Sequence, residues 1–124
     1  MFRPTIITLL FLIAYQLNSN AQEYVVYKQV DTLQLRLKVF QAENRDKAVS
    51  APAMVFFFGG GWSGRNLTQF EPHAKYFSQR GITCFIADYR VKKTNNTSPF
   101  ESLKDAKSAI RFIRKNAAQF GIDP

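Results

Sequence analysis

Val55-Phe56-Phe57-Phe58-Gly59-Gly60-Gly61-Trp62 decides the fold of this chain. Aromatic and β-branched residues in unbroken succession read as a strand buried on both faces, as in a parallel sheet covered by helices. The strand stops at three consecutive glycines and a tryptophan. Glycine gives up packing and costs backbone entropy, so three in a row mark a sharp turn or a close approach of bare N–H groups to something charged. Such donors at the end of a strand are a means of holding an oxyanion.

Outward from this stretch, Glu23–Val30 and Thr32–Gln41 read as two strands of an antiparallel or edge hairpin. In the second, Leu33, Leu35, Leu37 and Val39 alternate with Gln34, Arg36 and Lys38. Residues 42–52 are polar and end in proline, a loop. Beyond the glycines, residues 65–70 form a loop. A helix then starts between Thr68 and Pro72, where Thr68 and Glu71 have capping-box spacing. Phe70, Ala74 and Phe77 make its apolar stripe, and Gly81 ends it. Ile82–Ala87 is a second fully apolar strand, closing on Asp88-Tyr89-Arg90. Asp88 is expected to anchor the adjoining loop.

Lys92–Thr97 reads as a polar loop. Ser98-Pro99-Phe100-Glu101 then opens a helix, with serine as N-cap, proline at the first helical position and glutamate reaching back. Phe100, Leu103, Ala106, Ile110, Ile113, Ala117 and Phe120 recur at helical spacing and predict one face packed on the sheet. Asp105 falls on the polar side of that helix, where the dipole favours a carboxylate. The order is β-β followed by β-α-β-α. The helix between two apolar strands implies a parallel pair. The second crossover has no destination strand before Pro124, so the chain reads as truncated, the N-terminal part of a larger α/β domain.

The chain has 124 residues and a formal net charge of +8. Arg3, the apolar run Ile6–Ala14 and the small residues Ser19-Asn20-Ala21 match a secretory signal peptide cut after Ala21. The division is therefore residues 1–21 as signal and 22–124 as the domain, with a secreted or periplasmic destination. The apolar run is shorter than the ~20 residues a membrane-spanning helix needs, so no stable membrane insertion is expected. No cysteine lies near the cut, which argues against a lipid-anchored product. Removing the signal loses only the charge of Arg3, taking the net charge from +8 to +7. Arg111, Arg114 and Lys115 are the densest basic cluster, without the interleaved aromatics of a nucleic-acid platform. They read as a solvated face. Cys84 is the single cysteine, which excludes a disulfide framework within the chain and reads as a buried, inert strand residue.

Three chemistries compete for the glycine stretch. Gly59, Gly61 and Gly64 satisfy G-x-G-x-x-G, with Asp88 24 residues beyond Gly64, as in a dinucleotide fingerprint. Against that reading, residues 65–70 separate Gly64 from any helix, and Trp62 is bulky where a pyrophosphate must approach. Gly61-Trp62-Ser63-Gly64-Arg65 misses the G-x-S-x-G nucleophile elbow at its last position. The oxyanion-hole reading remains and fits best.

With Phe57-Phe58-Gly59-Gly60-Gly61-Trp62, Ala87-Asp88-Tyr89-Arg90 and the segment from Asp105 to Pro124 in register, the chain resembles the α/β-hydrolase superfamily. The similarity is to the esterase/lipase branch with a His-Gly-Gly-Gly-Trp loop, and within it to secreted feruloyl and acetylxylan esterase-like proteins. The resemblance implies that Gly60 and Gly61 donate the oxyanion-hole N–H groups and that Trp62 contacts substrate, a small-molecule or carbohydrate ester. It implies no cofactor and no metal. Phe58 departs from the family histidine, which bears on loop rigidity more than on reaction type. The family's catalytic order of Ser, Asp or Glu, then His would begin beyond Pro124. His73, the only histidine, belongs to the surface of the first helix, and Asp88 and Asp105 precede the elbow. The chain is thus expected to lack a catalytic residue and to be inactive alone. A non-catalytic secreted module that holds a sugar or ester in the aromatic-glycine loop is the alternative.

Overall fold

A computed structural model describes residues 22–124. The expected signal segment 1–21 lies outside the described residues. A four-stranded mixed sheet runs in the order β1 (Glu23–Val30), β2 (Leu33–Phe40), β4 (Thr83–Ala87), β3 (Ala53–Phe57). The first two form the antiparallel hairpin, β2 pairs antiparallel with β4, and β3 pairs parallel with β4. Helix α1 (Glu71–Ser78) connects the parallel pair. Lys92–Asn95 (α2) is a single turn, α3 spans Pro99–Lys115 and α4 spans Ala117–Phe120.

Alternation along β4 builds one core on each face of the sheet. Phe85 and Ala87 pack with Leu35, Leu37, Val39, Ala109, Ile113 and Phe120 under α3 and α4. Cys84 and Ile86 pack with Phe40 and Ala74 under α1. All five residues of β4 are buried, so it is the interior strand. Strand β3 borders only β4 among the described residues and is half-buried over Met54–Phe57. On its outer side the chain returns in parallel, bridging Ile122 to Ala51.

Burial pushes the Cys84 thiol up to about 11. We therefore expect a thiol-alkylating reagent at pH 8 to label the folded chain no faster than it unfolds. Rapid labelling without denaturant, read by mass spectrometry, would contradict the buried placement.

Several local expectations are corrected by tertiary contacts. Neither capping box forms. Glu71 pairs with Lys38, and Glu101 bonds Arg90 (3.0 Å) and Lys104 (2.9 Å), because cationic partners compete for each carboxylate. Lys38, expected on the outer polar face of β2, is buried. Burial by itself would lower its pKa, but hydrogen bonding to Glu71 outweighs that and raises it. The polar segment 92–97 contains the one-turn helix α2, which ends at Asn96 in the left-handed region (φ 51°).

The α3 stripe is half right. Ile113 and, beyond it, Ala117 and Phe120 join the core, but Phe100, Leu103 and Ile110 are 76%, 52% and 37% exposed. The buried face in the first half of the helix carries Ser102, Asp105 and Ala109 instead. Asp105 rotates the helix: its carboxylate is fully buried, not on the polar side. It accepts hydrogen bonds from Arg90 Nε (2.8 Å), Arg90 Nη2 (2.9 Å), the Arg90 N–H (3.1 Å) and Lys28 Nζ (2.7 Å). Burial alone would raise its pKa, but these bonds hold it below the ordinary carboxylate value.

Candidate oxyanion site

The site sits at the C-terminal ends of β3 and β4, where parallel α/β sheets open a crevice. The β3–β4 register sets Phe57 against Ala87, so the glycine loop leaves the sheet beside Asp88-Tyr89-Arg90. There Phe58, Tyr89 and Val91 form a third apolar cluster. The Phe58 and Tyr89 rings stack with centroids 4.1 Å apart, and the Tyr89 hydroxyl donates to the Phe58 carbonyl. Phe58, the departure expected to bear on loop rigidity, is thereby one of the loop's fixed points. Tyr89→Phe keeps the stack but orphans that carbonyl. We expect a loss of about 1 kcal/mol in urea denaturation. An unchanged midpoint would show the hydroxyl to be idle.

The turn itself requires its glycines. Gly60 has φ 141° and Gly61 φ 58°, both in the region L side chains rarely adopt. The Gly60 carbonyl accepts from the N–H groups of Ser63 (3.0 Å) and Gly64 (3.3 Å), closing the turn. The Gly59 N–H is occupied by Gln69 Oε1 at 2.8 Å. Among the described residues, the N–H groups of Gly60 and Gly61 donate to no protein acceptor, and both glycines are exposed. These are two adjacent backbone donors left open to a ligand.

Trp62 also takes a left-handed conformation (φ 59°), held by the Lys92 N–H to its carbonyl at 2.9 Å. Its indole is 55% exposed. It borders an open apolar cleft of about 300 Å³ lined also by Phe57, Tyr89, Pro99, Phe100 and Leu103. Phe100 and Leu103, two of the α3 residues that miss the core, face this cleft.

Behind the turn, Arg65 grips Asp88 in a two-pronged contact, Nε to Oδ1 at 2.9 Å and Nη2 to Oδ2 at 2.6 Å. Asp88 anchors the loop as expected, with Arg65 as the partner that sequence did not name. Gln69 was likewise missed. Neither carries a spacing signal, because the path of residues 59–70 decides what each reaches. Ser63 enters the turn through its backbone, donating to Gly60 and accepting from Lys93 at 3.1 Å. His73 is exposed on α1, its ring edge-on to Phe70 at 5.4 Å. No group of three or more His, Cys, Asp or Glu is placed to hold a metal ion among the described residues. No described helix is long and apolar enough to cross a membrane.

Known proteins resemble this chain in sequence and in fold. A family model described as BD-FAE matches residues 37–124. Carboxylesterase NlhH of Mycobacterium tuberculosis is 31% identical over 75 residues, covering 59% of this chain and 23% of the relative. Esterase 2 of Thermogutta terrifontis, phosphonylated by cyclosarin, superposes with a TM-score of 0.79 at 42% identity, over 84% of this chain and 39% of that one. Its apo form gives 0.79 at 41% identity, over 89% and 41%. The chain thus spans about two fifths of the solved esterase and about a quarter of the curated relative. The sheet order, the glycine turn and these matches agree: the chain belongs to the BD-FAE family, an esterase branch of the α/β-hydrolases.

Proposed function

We propose that this chain supplies the oxyanion-binding part of an exported serine carboxylesterase acting on a small-molecule ester, a carbohydrate ester in particular. The observation that carries the reading is the pair of free N–H groups at Gly60 and Gly61, fixed at the end of a strand beside an apolar cleft. A serine oxygen adds to the ester carbonyl, and the carbonyl oxygen becomes a tetrahedral oxyanion that accepts both hydrogen bonds. Collapse expels the alcohol and leaves an acyl-serine. Water then repeats the addition and releases the acid past the same two donors. Trp62 lines the cleft that receives the substrate. In this reading the nucleophile, acid and base come from outside these 124 residues. Export rests on Arg3, the apolar run from Ile6 and the small residues before Gln22.

The reading frame beyond Pro124 tests the proposal. A Gly-x-Ser-x-Gly elbow is expected within about 20 residues. The complete protein should hydrolyse p-nitrophenyl acetate, while the 124-residue chain does not. Hydrolysis by the 124-residue chain, or a frame without an elbow, would overturn the assignment. Recovery of protein beginning at Gln22 from the extracytoplasmic fraction tests export.

A further inference from the structure

We infer that Arg65 and Asp88 are a positioning pair that aims the oxyanion-hole donors, an inference that rests on the esterase reading above. The loop from Gly59 to Gly64 is suspended between two fixed points, and consecutive residues of one segment supply both. Tyr89 holds the near end through the Phe58 carbonyl, and Asp88 holds the far end through the Arg65 guanidinium. Asp88 is itself immobilised: its N–H donates to the Arg36 carbonyl (3.0 Å), and its carbonyl accepts from the Tyr27 hydroxyl (2.5 Å). A β-bulge between Val26 and Lys28 accompanies the inward placement of Tyr27.

The route from this pair to the donors is short, one peptide bond and one hydrogen bond. Arg65 fixes its neighbour Gly64, and the Gly64 N–H binds the Gly60 carbonyl. In a planar trans peptide the Gly60 carbonyl and the Gly61 N–H point in opposite directions. Holding the carbonyl toward Gly64 therefore turns the Gly61 N–H away from it, outward from the turn. If the tether is lost, the Gly60 carbonyl keeps only the Ser63 N–H (3.0 Å), and the less restrained peptide can rotate and withdraw that donor. Exposure of the guanidinium (39%) limits what the pair adds to folding, although Asp88 is buried. A planar fork on two carboxylate oxygens instead fixes direction.

Arg65→Gln and Asp88→Asn test this in two readouts. In the complete protein, amide order parameters of Gly60 and Gly61 should fall from about 0.85 to below about 0.6, while those of β4 stay unchanged. In the complete protein, kcat should fall about 100-fold with KM unchanged, as for a reacting group displaced by about 1 Å. Arg65→Lys restores charge without the fork and should rescue less than tenfold of that loss. Glycine amides that stay rigid would overturn the inference. So would order lost equally from β4, which signals plain destabilisation, or a change confined to KM. A wild-type complete protein without esterase activity would sink the proposed function instead, while the glycine order parameters still decide the positioning role.

Discussion

Replacing Asp105 by alanine should cost about 3–5 kcal/mol, the scale for removing one partner of a buried charge cluster. The carboxylate is fully buried and takes four hydrogen bonds from Arg90 and Lys28. Deleting it leaves Lys28 without its carboxylate partner and Arg90 with Glu101 as its remaining one, so β1 loses its polar tie to α3. Urea or thermal unfolding measures the loss; a decrease below 1 kcal/mol would show that water replaces the carboxylate. The pH dependence has a definite sign. Because the folded-state pKa lies below that of an unfolded aspartate, about 3.9, the contribution is present above that pH. It is lost as pH falls through the folded value. The stability gap between wild type and Asp105→Asn should therefore be widest above pH 5 and narrow below about pH 4. A gap independent of pH would place the effect in packing and not in charge.

Gly60→Ala should reduce ester hydrolysis by the complete protein about 100- to 1000-fold, the range for loss of one oxyanion donor. A Cβ at Gly60 would lie 3.0 Å from the Gly64 carbonyl oxygen, and φ of 141° is itself strained for any L side chain. The turn must open, and both donors move. Gly61→Ala separates conformation from contact. Its φ of 58° lies in the left-handed region, at a cost of about 1–2 kcal/mol, and a Cβ there meets nothing within 4 Å. That variant should keep the turn and lose less activity. Initial rates on p-nitrophenyl acetate compare the two. Equal rates for Gly60→Ala and wild type would remove Gly60 from the hole.

The sheet was legible because burial leaves a periodic imprint. Strand β1 was read to the residue, β2 and β3 to within one or two, and the apolar run after Gly81 proved to be the interior strand. The turn at Gly60 and Gly61 was legible too, since both take a positive φ that glycine adopts most readily. Charged side chains were read poorly. Thr68–Glu71 and Ser98–Glu101 have capping spacing, yet each glutamate prefers a cation brought from elsewhere. Asp105 looked like a surface carboxylate because nothing local reveals that Arg90 and Lys28 converge on it.

Sequence by itself thus determined the four strands, the two longer helices, the parallel pair and the position of the glycine turn, all consequences of local backbone freedom and one-dimensional apolar period. Tertiary structure alone decided which face of α3 is buried and where Lys38 and Asp105 go. It also decided that Arg65 and Tyr89 hold the two ends of the loop. Those outcomes depend on partners 15 to 77 residues away for Asp105 and 23 to 33 for the others. Such pairs meet only after the chain has folded, because an ion pair or hydrogen bond is set by distance in space and leaves no period along the sequence.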